Sequence, residues 1–346
     1  MKGLVKTQKG KGFIEVREVP DPKIGDTEVL IDVCACGICG TDLHIYHDEF
    51  PYWPPVILGH EFSGVIRQVG ASVTAWKPGD RVVGEPHTMA CGTCYLCRTG
   101  NRQICPEKRS PGWGIDGAFA PLLRFPDPAL LHRIPDSLTF PAAALVEPLA
   151  NVVTDLVLPG AIQVGDVVVV AGPGPIGIMA ALVAKHAGAS SVIIVGTEDD
   201  EELRLTLCRS LGAIDHVVNV QRDDLSRIVA EASHGRGCDV FVEASGASAA
   251  LATGAAIIRK LGTVVAIGLT GKQKVEFPYD AFMMKSVRYL FNVSTKFEAW
   301  DRSIQLLASG VIPHAKLITH TGTIDQWQPM FEALLARTAL KGMFVF

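Results

Sequence analysis

The stretch VVVVAGPGPIG, Val167 to Gly177, runs an apolar segment into glycines spaced Gly-x-Gly-x-x-Gly. A strand ending at Gly172 and Gly174, with a helix opening through Pro175, Ile176 and Gly177, puts backbone N–H groups and a positive helix end where a pyrophosphate would lie. Taken alone, the pattern also suits an ordinary Gly-rich turn. The neighbouring segments decide between the two: a helical stretch, IGIMAALVAKHAGA, then a second apolar run, SSVIIVG, that ends in an acidic cluster. That cluster falls roughly 20 residues on, the spacing needed to reach ribose hydroxyls. Dinucleotide binding is the expectation.

Outward from this point, DVVVVAG, SSVIIVG, CDVFVEAS and GTVVAIG are continuous apolar runs separated by helical patterns. Such runs suit central strands of a parallel sheet covered on both faces, hence a doubly wound α/β domain over residues 151–293. Residues 1–150 read differently. EVLIDVCACG, FSGVIRQVG and GDRVVGEP are short apolar segments broken by Gly and Pro, the texture of an irregular β domain. The last segment, 294–346, carries a helix at WDRSIQLLASG and a helix-strand pair at MFEALLARTALKGMFVF. These have no place in a six-stranded sheet, and the segment is expected to return to the first domain.

The 346 residues carry 32 Lys plus Arg against 36 Asp plus Glu, a formal net charge of -4. No sequence-wide basic field exists to attract nucleic acid or an anionic membrane, so small-molecule partners are expected. The start, MKGLVKTQKGKGF, has no apolar run suited to a signal peptide, and no later run reaches the roughly 18 residues of a membrane span. A cytoplasmic protein is expected. Nine cysteines, an odd number, are then poor disulfide candidates.

Cys91, Cys94, Cys97 and Cys105 fall within CGTCYLCRTGNRQIC, residues 91–105. Four thiolates close a tetrahedral shell around Zn²⁺ and leave no open position, so this lobe reads as a structural zinc site. The other cysteine-rich stretch is CACGICGTDLH, Cys34 to His44. Cys34 and Cys36 end a strand pattern and read as small buried residues. Cys39 needs another partner, and His60 with Glu61 in ILGHEFSG is the best candidate, because Cys, His and carboxylate together form an open zinc shell. Glu147 in ALVEPLAN must be paired, protonated or metal-bound if it is buried. The aromatics of DEFPYWPPV, Asp48 to Val56, with Trp113, suit either a pocket wall or a loop packed for stability or against another subunit.

In that order, CGICGTD, GHEFSG, the four-cysteine lobe, EPLA and GPGPIG resemble the zinc-containing medium-chain alcohol dehydrogenases over essentially the whole chain. The resemblance implies a GroES-like catalytic domain, a Rossmann domain, and a catalytic zinc in the cleft between them. It implies that Cys39, His60 and Glu61 or Glu147 surround that zinc, that Thr41 hydrogen-bonds the substrate oxygen, and that His44 completes a proton relay. It also implies two zinc ions per chain and hydride transfer from an alcohol to NAD. A homo-oligomer, dimer or tetramer, is expected.

The ethanol-oxidising branch has cysteine where this chain has Glu147, whereas sorbitol and threonine dehydrogenases are similar to EPLA. TDLHIYHDEF and GIMAALVAKH resemble threonine dehydrogenase; ALVEPLA and QLLASGVI lean toward polyol dehydrogenases. A polyol or vicinal diol is the expected substrate, with L-threonine as the alternative. A zinc-free quinone reductase would lack the four-cysteine lobe and the Cys39 and His60 pair, and a non-catalytic relative could lose Thr41 and His44.

At VIIVGTEDDEELR the relatives usually have Asp where this chain has Gly196. The acidic run after it holds no Arg or Lys before Arg204. Glu198 is expected to bond the adenosine ribose and to favour NAD over NADP, with Arg204 the residue that could reverse this. Acidic residues in a helix's first turn would also be favoured by its dipole.

Overall fold

Val167–Ala171 is buried along its whole length at the middle of a six-stranded sheet in the unit Asn151–Asn292. Spatially the strands run His216–Asn219, Ser191–Gly196, Val167–Ala171, Cys238–Glu243, Ile258–Ala266, Arg288–Phe291. Every pairing is parallel. In chain order that is third, second, first, fourth, fifth, sixth, the doubly wound arrangement that places ligands at the switch point beyond the carboxyl ends of the first and fourth strands. Apolar runs without polar alternation are what such a sheet requires, since helices cover both faces.

The computed structural model describes residues 1–346, and its other unit comprises Met1–Ala150 with Val293–Phe346. Its organising strand is Val29–Gly37, which pairs antiparallel with Glu61–Val69, Leu122–Phe125 and Gly342–Val345. Glu61–Val69 in turn pairs with Arg81–Gly84. The C-terminal strand therefore lies beside the strand that carries Cys34 and Cys36. Register here fixes chemistry: Gly37 lies opposite both Glu61 and Met343.

The acidic run after the second Rossmann strand does not open an α-helix directly. It forms a 3₁₀ turn at Glu198–Asp200 and a π-helical turn at Glu201–Leu205 before α-helix resumes at Thr206. Asp200 is buried and accepts from Thr197 N at 3.1 Å and Thr197 Oγ1 at 3.2 Å, which turns the chain inward at the start of the widened segment. No helix is long and apolar enough to cross a membrane.

Candidate functional site

Cys39 is the N-cap of the short helix Gly40–Tyr46. Its backbone N–H donates to Asp42 Oδ2 at 2.8 Å, so the turn that holds the thiol is fastened by a fully buried carboxylate. The other oxygen of Asp42 lies 3.9 Å from His60 Nδ1. At that distance the two groups interact as charges, with no hydrogen bond between them. Asp42 stands in the sequence beside the candidate ligands with nothing local to mark a role; its burial between them is what reveals one.

The ligand atoms of Cys39, His60 and Glu61 lie within 4.8 Å of one another. Glu61 ion-pairs with buried Lys341, whose Nζ also donates to Ile38 O at 2.9 Å. Glycine at position 37 permits this: a Cβ there would stand 2.3 Å from Glu61 Oε2 and 3.1 Å from Lys341 Cε. Glu147 is buried in the first turn of helix Val146–Leu156, near enough to act electrostatically on His60 and Lys341.

The electrostatics of the cluster suit a cation. Burial alone lowers the His60 pKa, but the Cys39 sulfur, Asp42 and Glu147 together raise it to about 10. A thiol and three carboxylates face one lysine and one imidazole here, an excess of negative groups that a divalent cation would offset. His60 Nδ1 also lacks a hydrogen-bond partner. These residues fit a zinc ion.

Thr41 and His44 are three residues apart on that short helix and share a face. No hydrogen bond joins them directly; His44 Nδ1 instead lies 3.1 Å from Glu49 Oε2 near the surface. The aromatic residues divide by role. Trp113 stands edge-on to His60, ring centroids 4.8 Å apart, and Phe50 stands edge-on to Trp113 at 5.7 Å. Tyr52 is buried and bonds Asp48 at 2.5 Å, while Trp53 is 46% exposed beneath the Arg109 guanidinium. Within the segment Asp48–Val56, then, Phe50 reaches toward the cluster through Trp113 and Tyr52 secures the loop.

In the four-cysteine lobe the Sγ separations are 3.6 Å for Cys91 to Cys105, 3.9 Å for Cys94 to Cys105 and 4.0 Å for Cys91 to Cys97. Sulfurs about 2.3 Å from a central zinc would be about 3.8 Å apart, so this spacing is tetrahedral and too wide for disulfides. Backbone N–H groups of Cys94 and Thr93 point at Cys91 and lower its thiol to about 6, favouring the thiolate a metal needs.

In the Gly-rich turn each glycine has its own reason. Gly172 has φ +105°, and a Cβ there would lie 2.9 Å from Ser245 backbone. A Cβ on Gly177 would lie 1.8 Å from Gly172 O, so the helix can sit on the turn only without a side chain. Gly174 meets nothing within 4 Å; its open side, at the head of helix Pro175–His186, leaves room for a phosphate against the N–H groups of Ile176 and Gly177. Beyond the second strand, Asn219 Nδ2 donates to Glu198 at 3.1 Å and Arg222 ion-pairs with the same carboxylate. Arg204 pairs with Asp200 at 3.2 Å. Arg222 is thus the cation at Glu198, one that sequence reasoning misses because it lies past the third strand.

Two family models match: "Alcohol dehydrogenase GroES-like domain" over residues 25–136 and "Zinc-binding dehydrogenase" over 175–309. The chain is 37% identical over 341 residues to a sorbitol dehydrogenase of Halalkalibacterium halodurans, covering 99% of this chain and 98% of that one. It is 35% identical over 339 residues to an L-threonine 3-dehydrogenase of Anaeromyxobacter sp. strain K, covering 96% and 95%. A zinc-binding dehydrogenase of Sinorhizobium meliloti 1021, solved bound to NADP, superposes with a TM-score of 0.90 at 30% identity, covering 100% of this chain and 99% of the other.

Proposed function

The chain belongs to the zinc-binding medium-chain dehydrogenases, enzymes that use a nicotinamide cofactor, and from that premise we propose that it oxidises a secondary hydroxyl of a polyol or vicinal diol to the ketone, with NAD as acceptor. The observation that carries this reading is the convergence of Cys39, His60 and Glu61, with Glu147 buried beside them and Trp113 walling one side. When bound, zinc supplies Lewis-acid polarisation of the substrate oxygen and the nicotinamide supplies the hydride acceptor.

The remaining work belongs to the chain. Cys39, His60 and a carboxylate from Glu61 or Glu147 would hold the metal; the Asp42 carboxylate faces His60 as a charge, and Lys341 restrains Glu61. Thr41 accepts the substrate's hydroxyl proton while releasing its own, and a bridging water would carry that proton to His44, which with Glu49 passes it to solvent. Phe50 and Trp113 keep water from the reacting carbon. A second zinc in the four-cysteine lobe is structural, and the quinone reductase and non-catalytic alternatives lose ground to the two ligand sets.

L-threonine is the second reading, carried by the 35% identity to a protein of that activity. A screen of hexitols, pentitols, 2,3-butanediol and L-threonine with NAD and NADP decides between them. Turnover of L-threonine with none on any diol or polyol would overturn the first reading. Self-association is part of the proposal, since the edge strand Arg288–Phe291 leaves Phe291 exposed close in sequence to exposed Met283 and Met284. Light scattering on the purified protein should give a dimer or tetramer.

A further inference from the structure

Beside the Gly-rich turn, a second turn closes over the same end of the parallel sheet. Glu243 is the last residue of the fourth strand, Cys238–Glu243, level with Ala171 of the first. It is 3% exposed, and one carboxylate oxygen, Oε1, accepts from Ser245 N at 2.8 Å, Ser245 Oγ at 2.5 Å and Gly246 N at 2.9 Å. Its backbone oxygen accepts from Ile267 N at 2.8 Å and Gly268 N at 3.0 Å, just past the fifth strand, Ile258–Ala266. One residue thus ties together the carboxyl ends of the fourth and fifth strands. The turn it holds rests on Gly172, where a Cβ would lie 2.9 Å from the backbone of Ser245.

The second carboxylate oxygen is placed differently. Oε2 makes no hydrogen bond, yet it is not sealed, since it keeps some contact with solvent. It faces Gly268, where a Cβ would lie 2.7 Å from it. A side chain at that position would cover the oxygen, and glycine leaves it open.

The charge of Glu243 also has no cation beside it. Asp200 and Asp239, buried in the same unit, each have an arginine, Arg204 and Arg259. Glu243 has three hydrogen-bond donors and no lysine, arginine or histidine. Its charge reaches Tyr289 on the sixth strand, whose hydroxyl is pushed up to about 12, by burial first and by Glu243 second. A buried carboxylate without a cation is costly, and it favours a positive group brought to its open side.

Position decides which group that is. Across the switch point of a doubly wound sheet, the pyrophosphate lies at the turn after the first strand, and the adenosine ribose lies toward the acidic residue after the second. The other half of the dinucleotide then falls toward the fourth and fifth strands, whose carboxyl ends Glu243 joins. An oxidised nicotinamide ring carries a positive charge. Hydride transfer to it gives a neutral ring, and the rest of the cofactor keeps its charge.

We propose that Glu243 is the buried counter-charge of the oxidised nicotinamide ring, and that it raises the affinity of the chain for NAD⁺ relative to NADH. The form that begins alcohol oxidation is then held more firmly, and the form that ends it is released more readily. The inference rests on the nicotinamide cofactor of the proposed reaction and adds which oxidation state the chain favours and through which residue. Because Glu243 repels the pyrophosphate of both forms alike, its mark is the ratio of the two affinities rather than either one alone.

The test is calorimetric titration of the zinc-loaded wild type, Glu243→Gln and Glu243→Asp with NAD⁺ and with NADH, at one pH and ionic strength and with no alcohol present. Gln keeps an acceptor oxygen for Ser245 and Gly246 but loses the charge, whereas Asp keeps the charge on a shorter arm. In Glu243→Gln the dissociation constant of NAD⁺ divided by that of NADH should rise roughly tenfold, the order of a single charge interaction at an effective dielectric of about 20. In Glu243→Asp that ratio should stay within about twofold of the wild type, whatever happens to the two affinities separately. Equal weakening of both forms in Glu243→Gln would make the carboxylate only a brace for the turn and would overturn the inference. So would a ratio that shifts as far in Glu243→Asp, an outcome that counts whether or not the Gln variant folds. Since no alcohol is present, a wild type that oxidises only L-threonine would overturn the proposed substrate and leave this inference standing. A wild type that prefers NADP is read with NADP⁺ and NADPH, whose rings differ by the same charge.

Discussion

Lys341 Nζ is bonded to the Glu61 carboxylate, both side chains buried, so the residue just before the C-terminal strand is tied to the segment that also supplies His60. Burial alone would lower the Lys341 pKa, and Glu61, Cys39 and Glu147 raise it instead. Lys341→Met leaves Glu61 as an uncompensated buried charge in the metal-free protein, a change worth about 3–5 kcal/mol for a buried pair. With zinc bound, the same carboxylate has a cation beside it. The loss of melting temperature should therefore be larger after chelation than in the loaded enzyme, and equal losses by calorimetry would sink the idea that Lys341 and the metal share one carboxylate.

Metal content separates the two ligand sets. Elemental analysis should find two zinc ions per wild-type chain. Cys39→Ser should lose one together with turnover while the fold persists, and Cys94→Ser should lose the other chiefly at the expense of stability. One zinc in a fully active wild type would contradict the pair of sites.

The aromatic loop gives a paired expectation. Trp113 packs against His60, whereas Trp53 lies under Arg109 at the surface. Trp113→Ala should change the ratio of kcat/KM between short diols and hexitols, and Trp53→Ala should leave that ratio within about twofold, since exposed substitutions usually cost within about ±0.5 kcal/mol. A selectivity change in Trp53→Ala alone would reverse this division of the loop.

Asp155 supplies a pH dependence. Its burial raises the carboxyl from 3.8 to about 7, against a hydrogen bond from Asn292 that lowers it. A carboxyl raised in the folded state binds its proton more tightly than the unfolded chain does. Its contribution to stability is complete below the unfolded value and is lost as pH rises toward about 7, at up to about 1.4 kcal/mol per pH unit. Asp155→Asn should therefore raise the melting temperature more at about pH 8.5 than at about pH 5.5, on either side of the raised value. A gain independent of pH would show that Asp155 ionises freely in the native protein.

The parts of the site that the sequence displays are those whose partners are close in sequence. Four cysteines in one loop and three glycines in one turn carry their spacing on their face, because a single local segment must make the whole geometry. Asp42, Lys341 and Arg222 are not legible as partners, since each meets its counterpart only after distant strands pair. Lys341 in particular sits in ALKGMFVF, where nothing local separates a buried ion-pair lysine from a surface one. The acidic run is a different case: its residues are visible, but its 3₁₀ and π turns depend on Asp200 folding inward, a tertiary choice that helix propensity does not predict.

Cofactor choice depends on what crowds Gly196. A Cβ there would meet Pro173 Cγ and Leu205 Cδ2 at 2.9 Å, so a side chain at the strand end would have to displace both where the Gly-rich turn packs. The nearest carboxylate after it is Glu198, held beyond the second and third strands by Asn219 and Arg222. A 2′-phosphate placed about 4 Å from that carboxylate would be repelled by about 1 kcal/mol per unit charge in water and about 4 at an effective dielectric near 20. Arg222 works the other way, but its guanidinium is already spent on Glu198, so NAD should be preferred by roughly tenfold or more in kcat/KM at fixed ionic strength. Glu198→Ala removes the repulsion and frees Arg222 to meet a phosphate, and should bring NADP level with NAD or ahead of it. Arg222→Ala leaves the carboxylate uncompensated and should widen the preference for NAD. Equal use of the two cofactors by the wild type, or no response to Glu198→Ala, would place the ribose away from Glu198 and return the choice to Arg204.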